Sequence, residues 1–339
     1  MIQDPVFVDE NRSKDPFCWE IVLEDNDFAI IQTFYHDGSS AKMRRRLKFG
    51  CRLWFYRHCN GLFAFYKSNK LYLRNLTNGV VIHIPTVRKR KPSHIERFEF
   101  GFDSSSKKYK VLVWMEDEAT DYCLSDVHIR TLEKDSSWRP IKETPPLRNL
   151  GVQPQVNVNG TLFWFDADGA RIISFDLADE TFRITKLPGE IKLEDLNIMH
   201  SVFEFEESLA LVELPNTEND QERCHFEIIN LWILKDVVSH QWISMLKNTI
   251  IPLEGTNLHD YYLYEVNGPE ADFSARNGEI LIAAADGNHQ YIFLYSFLNG
   301  QFKRIRITGL DILHIIVKNH VKNYVNIEEF GERIHFYSR

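Results

Sequence analysis

The residues of this chain that could do chemistry are few and scattered. His58 and Cys59 stand side by side, with Cys51 a short distance before them. A zinc site or an activated nucleophile needs side chains that converge, and neighbours on a strand point to opposite faces. No second closely spaced pair completes a ligand set. Asp166-Ala-Asp-Gly169 begins a calcium-loop pattern, but a third acidic position is missing and Leu177 stands where the loop needs a bidentate Glu. These four residues read as a hairpin turn. His314 and His320 are spaced so that a strand running into a loop would not give them a common ligand face. There is no G-x-S-x-G, no glycine loop to cradle phosphate and no H-E-x-x-H. No catalytic residue, cofactor or metal is therefore expected.

Charge supplies the better candidates. Arg44, Arg45 and Arg46, followed by Lys48, make one basic cluster; Arg88, Lys89, Arg90 and Lys91 make a second, just before Pro92. Such runs suit anion binding or nuclear import, and more plainly they suit solvated loops between structural repeats. Brought onto one face, the seven residues would form a surface for an acidic segment of a protein partner. Trp54, Trp114, Trp138, Trp164, Trp232 and Trp242 fall inside strand-like patterns and read as core before they read as binding platforms.

The elements that must carry these residues repeat. Val156 to Pro188 reads as one apolar strand from Val156 to Phe165, running through Asn159-Gly160, then Arg171 to Leu177, then Thr181 to Pro188, with turns between. Ile173, Phe175 and Leu177 alternate with Ser174 and Asp176, the period of a half-buried strand. A meander this small cannot bury its own apolar face and needs neighbours of its kind. A similar order of Asn-Gly, apolar strand, aromatic-rich strand, turn and final strand recurs over 60–85 and 277–307. Variant copies cover 98–141 and 202–243. The centres recur roughly every 40–60 residues, the spacing of propeller blades. The predicted fold is all-β: one β-propeller of six antiparallel blades, the sixth closed by strands from both termini. Closure would remove exposed sheet edges.

Composition agrees. A length of 339 residues would suggest two domains, but a ring of repeats shares its burial as one. Hydrophobic content of 44% and aromatic content of 13% are ample for a core of pleated surfaces. The net charge of −8 argues against a general binder of nucleic acid or anionic membrane. Five scattered cysteines with no C-x-x-C fit reduced thiols in cytosol or nucleus. The first residues are charged rather than apolar, and no stretch reaches a membrane-spanning length of apolar residues. Asn11-Arg-Ser13, Asn75-Leu-Thr77 and Asn159-Gly-Thr161 match the glycosylation pattern but read as turns.

Several motifs occur in a telling order. They are Cys59-Asn-Gly-Leu62, Phe100-Gly-Phe-Asp-Ser-Ser-Ser-Lys-Lys-Tyr-Lys-Val111, Ser137-Trp-Arg139, Val158-Asn-Gly-Thr-Leu-Phe-Trp164, Ile173-Ser-Phe-Asp-Leu177 and Leu231-Trp-Ile-Leu234. Together they resemble the successive signatures of the plant F-box-associated (kelch-like) domain. Ile2-Gln-Asp-Pro-Val-Phe-Val8 resembles the tail of a plant F-box, although Asn11 stands near the place of the family's usual His. The resemblance implies that residues 1–18 are the end of an F-box and a linker, and that 19–339 are the propeller. The rest of the F-box, expected some forty residues upstream, is not among these residues.

What the family implies is a non-catalytic substrate receptor of a Skp–cullin–F-box ubiquitin ligase, working in cytoplasm or nucleus. Its partner would be a protein substrate, with the Skp-type adaptor and cullin reached only through an upstream F-box. The alternative is an F-box-less propeller that binds its partner as a scaffold or decoy. An enzyme built on a propeller is a third class that no pairing of residues supports.

Overall fold

The computed structural model describes residues 18–25, 28–35, 40–48, 56–67, 70–87, 95–115, 126–143, 156–166, 170–191, 198–215, 225–252, 261–262, 273–276, 279–286, 289–297, 299–307, 314–319 and 323–334. Among them the regular structure is strand, apart from a 3-10 turn at Ile327–Glu329. β1 (Cys18–Asp25), β2 (Phe28–Tyr35) and β3 (Ser40–Lys48) form a first antiparallel run. The second is β4 (Tyr56–Cys59), β5 (Leu62–Lys67), β6 (Lys70–Asn75) and β7 (Val81–Ile84). The third is β8 (Ile95–Asp103), β9 (Lys108–Met115), β10 (Asp126–Thr131) and β11 (Arg139–Pro140). The fourth is β12 (Val156–Val158), β13 (Thr161–Asp166), β14 (Arg171–Asp176) and β15 (Thr181–Lys186).

The fifth run is β16 (Ile198–Phe205), β17 (Ser208–Pro215), β18 (His225–Asp236) and β19 (Gln241–Pro252). The sixth holds β20 (Tyr261–Tyr262), β21 (Phe273–Arg276), β22 (Glu279–Asp286), β23 (His289–Ser296) and β24 (Phe302–Ile307). One parallel bridge, Phe205 to Ala275, joins the fifth and sixth runs into a nine-stranded sheet. Two strands late in the chain return to its beginning. β25 (His314–Asn319) pairs with β1, and β26 (Glu332–Arg333) adds a fifth strand to β7.

The sequence suggested a three-stranded repeat, and the described runs 56–84, 95–140, 156–186 and 198–252 each have four strands. The missing strand lies before Asn-Gly. Asn60 and Gly61 both have positive φ (47° and 72°), as do Asn159 and Gly160 (49° and 83°). Positive φ at both central residues is the two-residue hairpin turn that Asn-Gly favours. The dipeptide therefore folds β4 onto β5, ahead of the expected start at Asn60, and β12 onto β13, where an unbroken strand was expected. Glu206 and Glu207 (φ 45° and 61°) make the same turn between β16 and β17 without any glycine.

A second turn also recurs. Asn75, Asp103, Asp176 and Asp236 each accept hydrogen bonds from the backbone N–H groups two and three residues on. Four residues after each stands a positive φ: Gly79, Lys107, Glu180 and His240. This side-chain cap replaces water at the turn and fixes the register of the next strand. Asn75 and Asn159 thus sit in turns as expected; Asn11 lies outside the described residues.

The core fills the gaps between sheets. Leu62, Leu73 and Ile82 meet Phe98, Phe100 and Val113 between the second and third runs. Leu112, Trp114 and Ile129 meet Leu162, Trp164 and Phe175 between the third and fourth. Val158, Phe163 and Ile172 meet Val202, Leu211 and Trp232 between the fourth and fifth. Successive residues of β9 and of β13 therefore serve opposite gaps, which is why these strands are apolar throughout rather than alternating. Each such side chain contributes about 1.5–3 kcal/mol when fully buried.

Candidate partner-binding surface

The first strands of successive runs pack on one another: β4 with β8, β12 with β16, β16 with β21, and β21 with β25. Within this frame lies a fully buried carboxylate. Glu99 on β8 accepts from Arg57 of β4, at 3.0 Å through Nη2 and also through Nε. Arg97 donates to it from its own strand, and the Trp164 indole of β13 donates at 3.2 Å. One carboxylate thus ties three consecutive sheets. Burial alone would push its pKa up, but the charges of Arg57 and Arg97 and their hydrogen bonds hold it below the usual carboxylate range.

Gly101, on the same strand, stands where the fourth run approaches closely. A Cβ there would lie 2.8 Å from methyl groups of Leu162 and Leu177 and 3.0 Å from Asn157 Nδ2. Asn157 in turn reaches the Cys59 sulfur at 3.1 Å, so β12 touches β4 past the bare glycine. Cys59 is buried there, in a packing role. Asp166 ends β13 in an ion pair with Arg171 at 2.7 Å across the hairpin, the turn expected from its sequence.

Farther along the gap between the third and fourth runs, the Lys110 ammonium donates to Asp103 (3.1 Å), to Glu180 (3.0 Å) and to the Leu177 carbonyl. Arg139 of β11 grips Glu180 with both guanidinium nitrogens. Burial tends to raise both carboxyls. Hydrogen bonds from Ser106 and Ser105 outweigh it at Asp103, and those from Arg139 and Lys110 outweigh it at Glu180, so both lie below their ordinary values. In the fifth run, buried Glu213 accepts from His200 at 3.2 Å, Asn230 at 2.6 Å and Trp232 at 3.4 Å, and is likewise lowered against the effect of burial.

The tryptophans divide. Trp114, Trp164 and Trp232 are buried core. Trp138 and Trp242 are only half-buried, and each sits next to the outer strand of its neighbour. Trp138 donates its indole N–H to the Pro85 carbonyl, and Trp242 to the Lys186 carbonyl at 2.9 Å. They stitch the third run to the second and the fifth to the fourth. Trp242 lies one residue into β19, while Trp138 stands just before β11.

The basic clusters are placed unequally. Arg44, Arg45 and Arg46 were expected in a loop, and they lie in the middle of β3, opposite Gln32, Ile31 and Ile30 of β2. The physical reason is that β3 is the outer edge of its sheet, where charged residues discourage pairing with another chain. Arg88, Lys89, Arg90 and Lys91 lie outside the described residues, as does Trp54. Sequence reasoning also stopped the last strand of the fifth run near Ile243, whereas β19 continues to Pro252. The pair Ile250-Ile251 was the available sign of that extension.

Antiparallel four-stranded sheets, packed face to face through successive gaps, define an all-β protein of propeller type. The chain matches the F-box associated beta propeller domain family over residues 21–329, and it belongs to that family. Its relatives in Arabidopsis thaliana are F-box proteins. An F-box/LRR-repeat protein is 22% identical over 74% of this chain and 59% of its own length. Two putative F-box proteins are 26% and 25% identical over 75% and 84% of this chain, and 55% and 63% of their own lengths. The chain thus spans somewhat over half the length of these relatives. Among solved structures, one from a crystal of a nidogen/laminin complex aligns over 85% of this chain and 93% of its own, at 10% identity and a TM-score of 0.43.

Proposed function

We propose that this chain is the substrate-holding part of a Skp–cullin–F-box ubiquitin ligase. The observation that carries the reading is membership of the F-box associated family across nearly the whole chain, among relatives named as F-box proteins. In this reading the six strand runs are six blades of one ring. The pairing of β1 with β25 and the packing of first strand on first strand support it. Residues 1–18 are the end of the F-box and its linker, and 19–339 the propeller. The chain itself catalyses nothing. It holds a protein for modification, in cytoplasm or nucleus, while the F-box docks on a Skp-type adaptor and through it on the cullin. The basic edge Arg44, Arg45 and Arg46 is a candidate surface for an acidic segment of that protein, and Arg88, Lys89, Arg90 and Lys91 are the other basic residues offered to it.

The test is a fusion that places a plant F-box ahead of residue 1. The fusion is expected to co-purify the adaptor and cullin and to shorten the half-life of one or more captured proteins in plant cells. A folded fusion that recruits the adaptor yet shortens the half-life of no protein overturns the reading.

A further inference from the structure

Asn-Gly occurs at 60–61, 78–79, 159–160, 267–268, 277–278 and 299–300. The dipeptide is chemically fragile. The glycine nitrogen can lose its proton and attack the asparagine side-chain carbonyl, because no Cβ on the glycine stands in the way. The pairs at 267–268 and 277–278 lie outside the described residues. Asn60 is half-buried, with Asn323 Nδ2 set against its carbonyl at 2.6 Å. Asn78, Asn159 and Asn299 are exposed. All three are open to water, so the geometry of their turns decides which of them reacts.

At two of these turns the attacking N–H is already engaged. Gly79 donates to the Asn75 carbonyl at 2.8 Å and Gly300 to the Ser296 carbonyl at 2.9 Å. Their asparagine side chains are held as well. Asn78 Oδ1 accepts from the Val80 N–H and Asn299 Oδ1 from the Gln301 N–H, each at 2.9 Å. The third turn differs. It is the two-residue hairpin joining β12 to β13, and the Gly160 N–H meets no acceptor among the described residues. The carbonyl of the same peptide bond, that of Asn159, accepts the Ser104 hydroxyl at 3.2 Å. A donor on an amide oxygen draws electron density from the amide nitrogen and makes its N–H more acidic. Ser104 belongs to the turn after β8, so a residue of the third run activates a peptide bond of the fourth.

We propose that Asn159-Gly160 is a self-modification site, where the chain converts asparagine to aspartate and isoaspartate through a cyclic imide. The Gly160 nitrogen bonds to Asn159 Cγ, the side-chain nitrogen leaves as ammonia, and the proton lost by Gly160 leaves with it. Water then opens the imide. Opening at the side-chain carbonyl gives aspartate; opening at the main-chain carbonyl gives isoaspartate, with the backbone running through Cγ. Nothing is oxidised or reduced, and water is the sole co-reactant. Either product alters a junction between sheets. Asn159 Nδ2 donates to the Glu207 carbonyl at 2.9 Å, a link from the fourth run to the fifth. A carboxylate cannot make that link, and the turn it faces carries Glu206 and Glu207. Isoaspartate also lengthens the backbone of a two-residue turn next to β12, a strand of three residues that packs on β16. The older the molecule, the weaker its hold between these two runs, whether or not the chain serves a ligase.

The experiment incubates the full chain in heavy-oxygen water at pH 7 and maps its peptides by mass spectrometry. The label marks conversion during the incubation alone, and electron-transfer fragmentation separates isoaspartate from aspartate. Asn159 is expected to convert at least fivefold faster than Asn78 and Asn299. In urea, where the turns are lost, the three rates should draw together. Ser104→Ala changes an exposed side chain, so the fold is kept. It should slow Asn159 at least threefold and leave Asn78 and Asn299 unchanged. Asn159→Asp, the ordinary product made in advance, should unfold at a lower temperature than wild type. Equal rates in the folded chain, an advantage of Asn159 that persists in urea, or an Asn159 rate indifferent to Ser104→Ala each overturns the proposed site. An Asn159→Asp chain as heat-stable as wild type overturns the weakening ascribed to it. The receptor reading is judged by the F-box fusion alone.

Discussion

A carboxylate shut away from water stays ionised only if its charge is answered nearby, and Glu99 is answered twice. Replacing Glu99→Gln leaves two guanidiniums without their counter-charge in the gap. The expected loss is about 3–5 kcal/mol, read by urea unfolding at pH 7. The same residue sets part of the acid response. Because the folded carboxyl titrates below its unfolded value, the stability it supplies is complete above the ordinary carboxylate range and is lost as pH falls through the lower folded value. Asp103, Glu180 and Glu213 act in the same direction. The wild type should therefore hold its Tm from pH 7 down to about 5 and lose it steeply below about 4, while Glu99→Gln, lower throughout, should fall less steeply. Beside it, Gly101→Ala would press a methyl into Leu162 and Leu177. A cost of about 1–3 kcal/mol is expected from calorimetry, as for other overpacked sites. None of this was legible in the sequence. Arg57 and Trp164 stand 42 and 65 residues from Glu99, and no local pattern announces that three such side chains will meet.

Elements were far more legible than residues, because their signals are local. Asn-Gly at 60–61 and 159–160, the Asx-capped turns and the apolar runs between them all mark strands by chemistry a few residues wide. What the pattern concealed was the strand before each Asn-Gly: β4 is only four residues and β12 only three. A strand that short leaves no period to read. The basic triplet misled for a related reason, since a run of arginines has the composition of a loop whether or not an edge strand carries it. Trp138 and Trp242 belong at this scale too, since each joins one sheet to the next by a single donor. Trp138→Phe and Trp242→Phe keep most of the ring and lose the indole N–H. Each is expected to cost about 1 kcal/mol in urea unfolding. The pair should add within about 0.5 kcal/mol, because the two stitches lie in different gaps. A cost well beyond the sum would mean the gaps open together.

At the scale of the whole molecule, the repeat was legible in the sequence, but the route by which late strands tie back to early ones was not. That route is made by the segment 323–334. Asn323 is fully buried, donating to the Asn60 carbonyl at 2.6 Å and the Tyr109 hydroxyl at 2.7 Å and accepting from Asn75 at 3.0 Å. Ile327 then enters the core between the second and third runs, and β26 closes onto β7. Asn323→Ala orphans several buried groups at once, so a loss of more than about 2 kcal/mol is expected by thermal unfolding, each unmet group costing about 1–3. A variant as stable as wild type would show the strap to be passive. The pairing of β1 with β25 also has a consequence in time. A ribosome adds roughly 5–20 residues per second, so β1 emerges well before the strand that will cover its edge has been made. For that interval the nascent chain carries an open edge, and Leu62 and Phe100 wait for Ile327 to complete their core. A cell making this protein must shield an unfinished structure until β25 and the segment 323–334 have been made. A frameshift between β24 and β25 would leave a nascent chain that quality control should destroy.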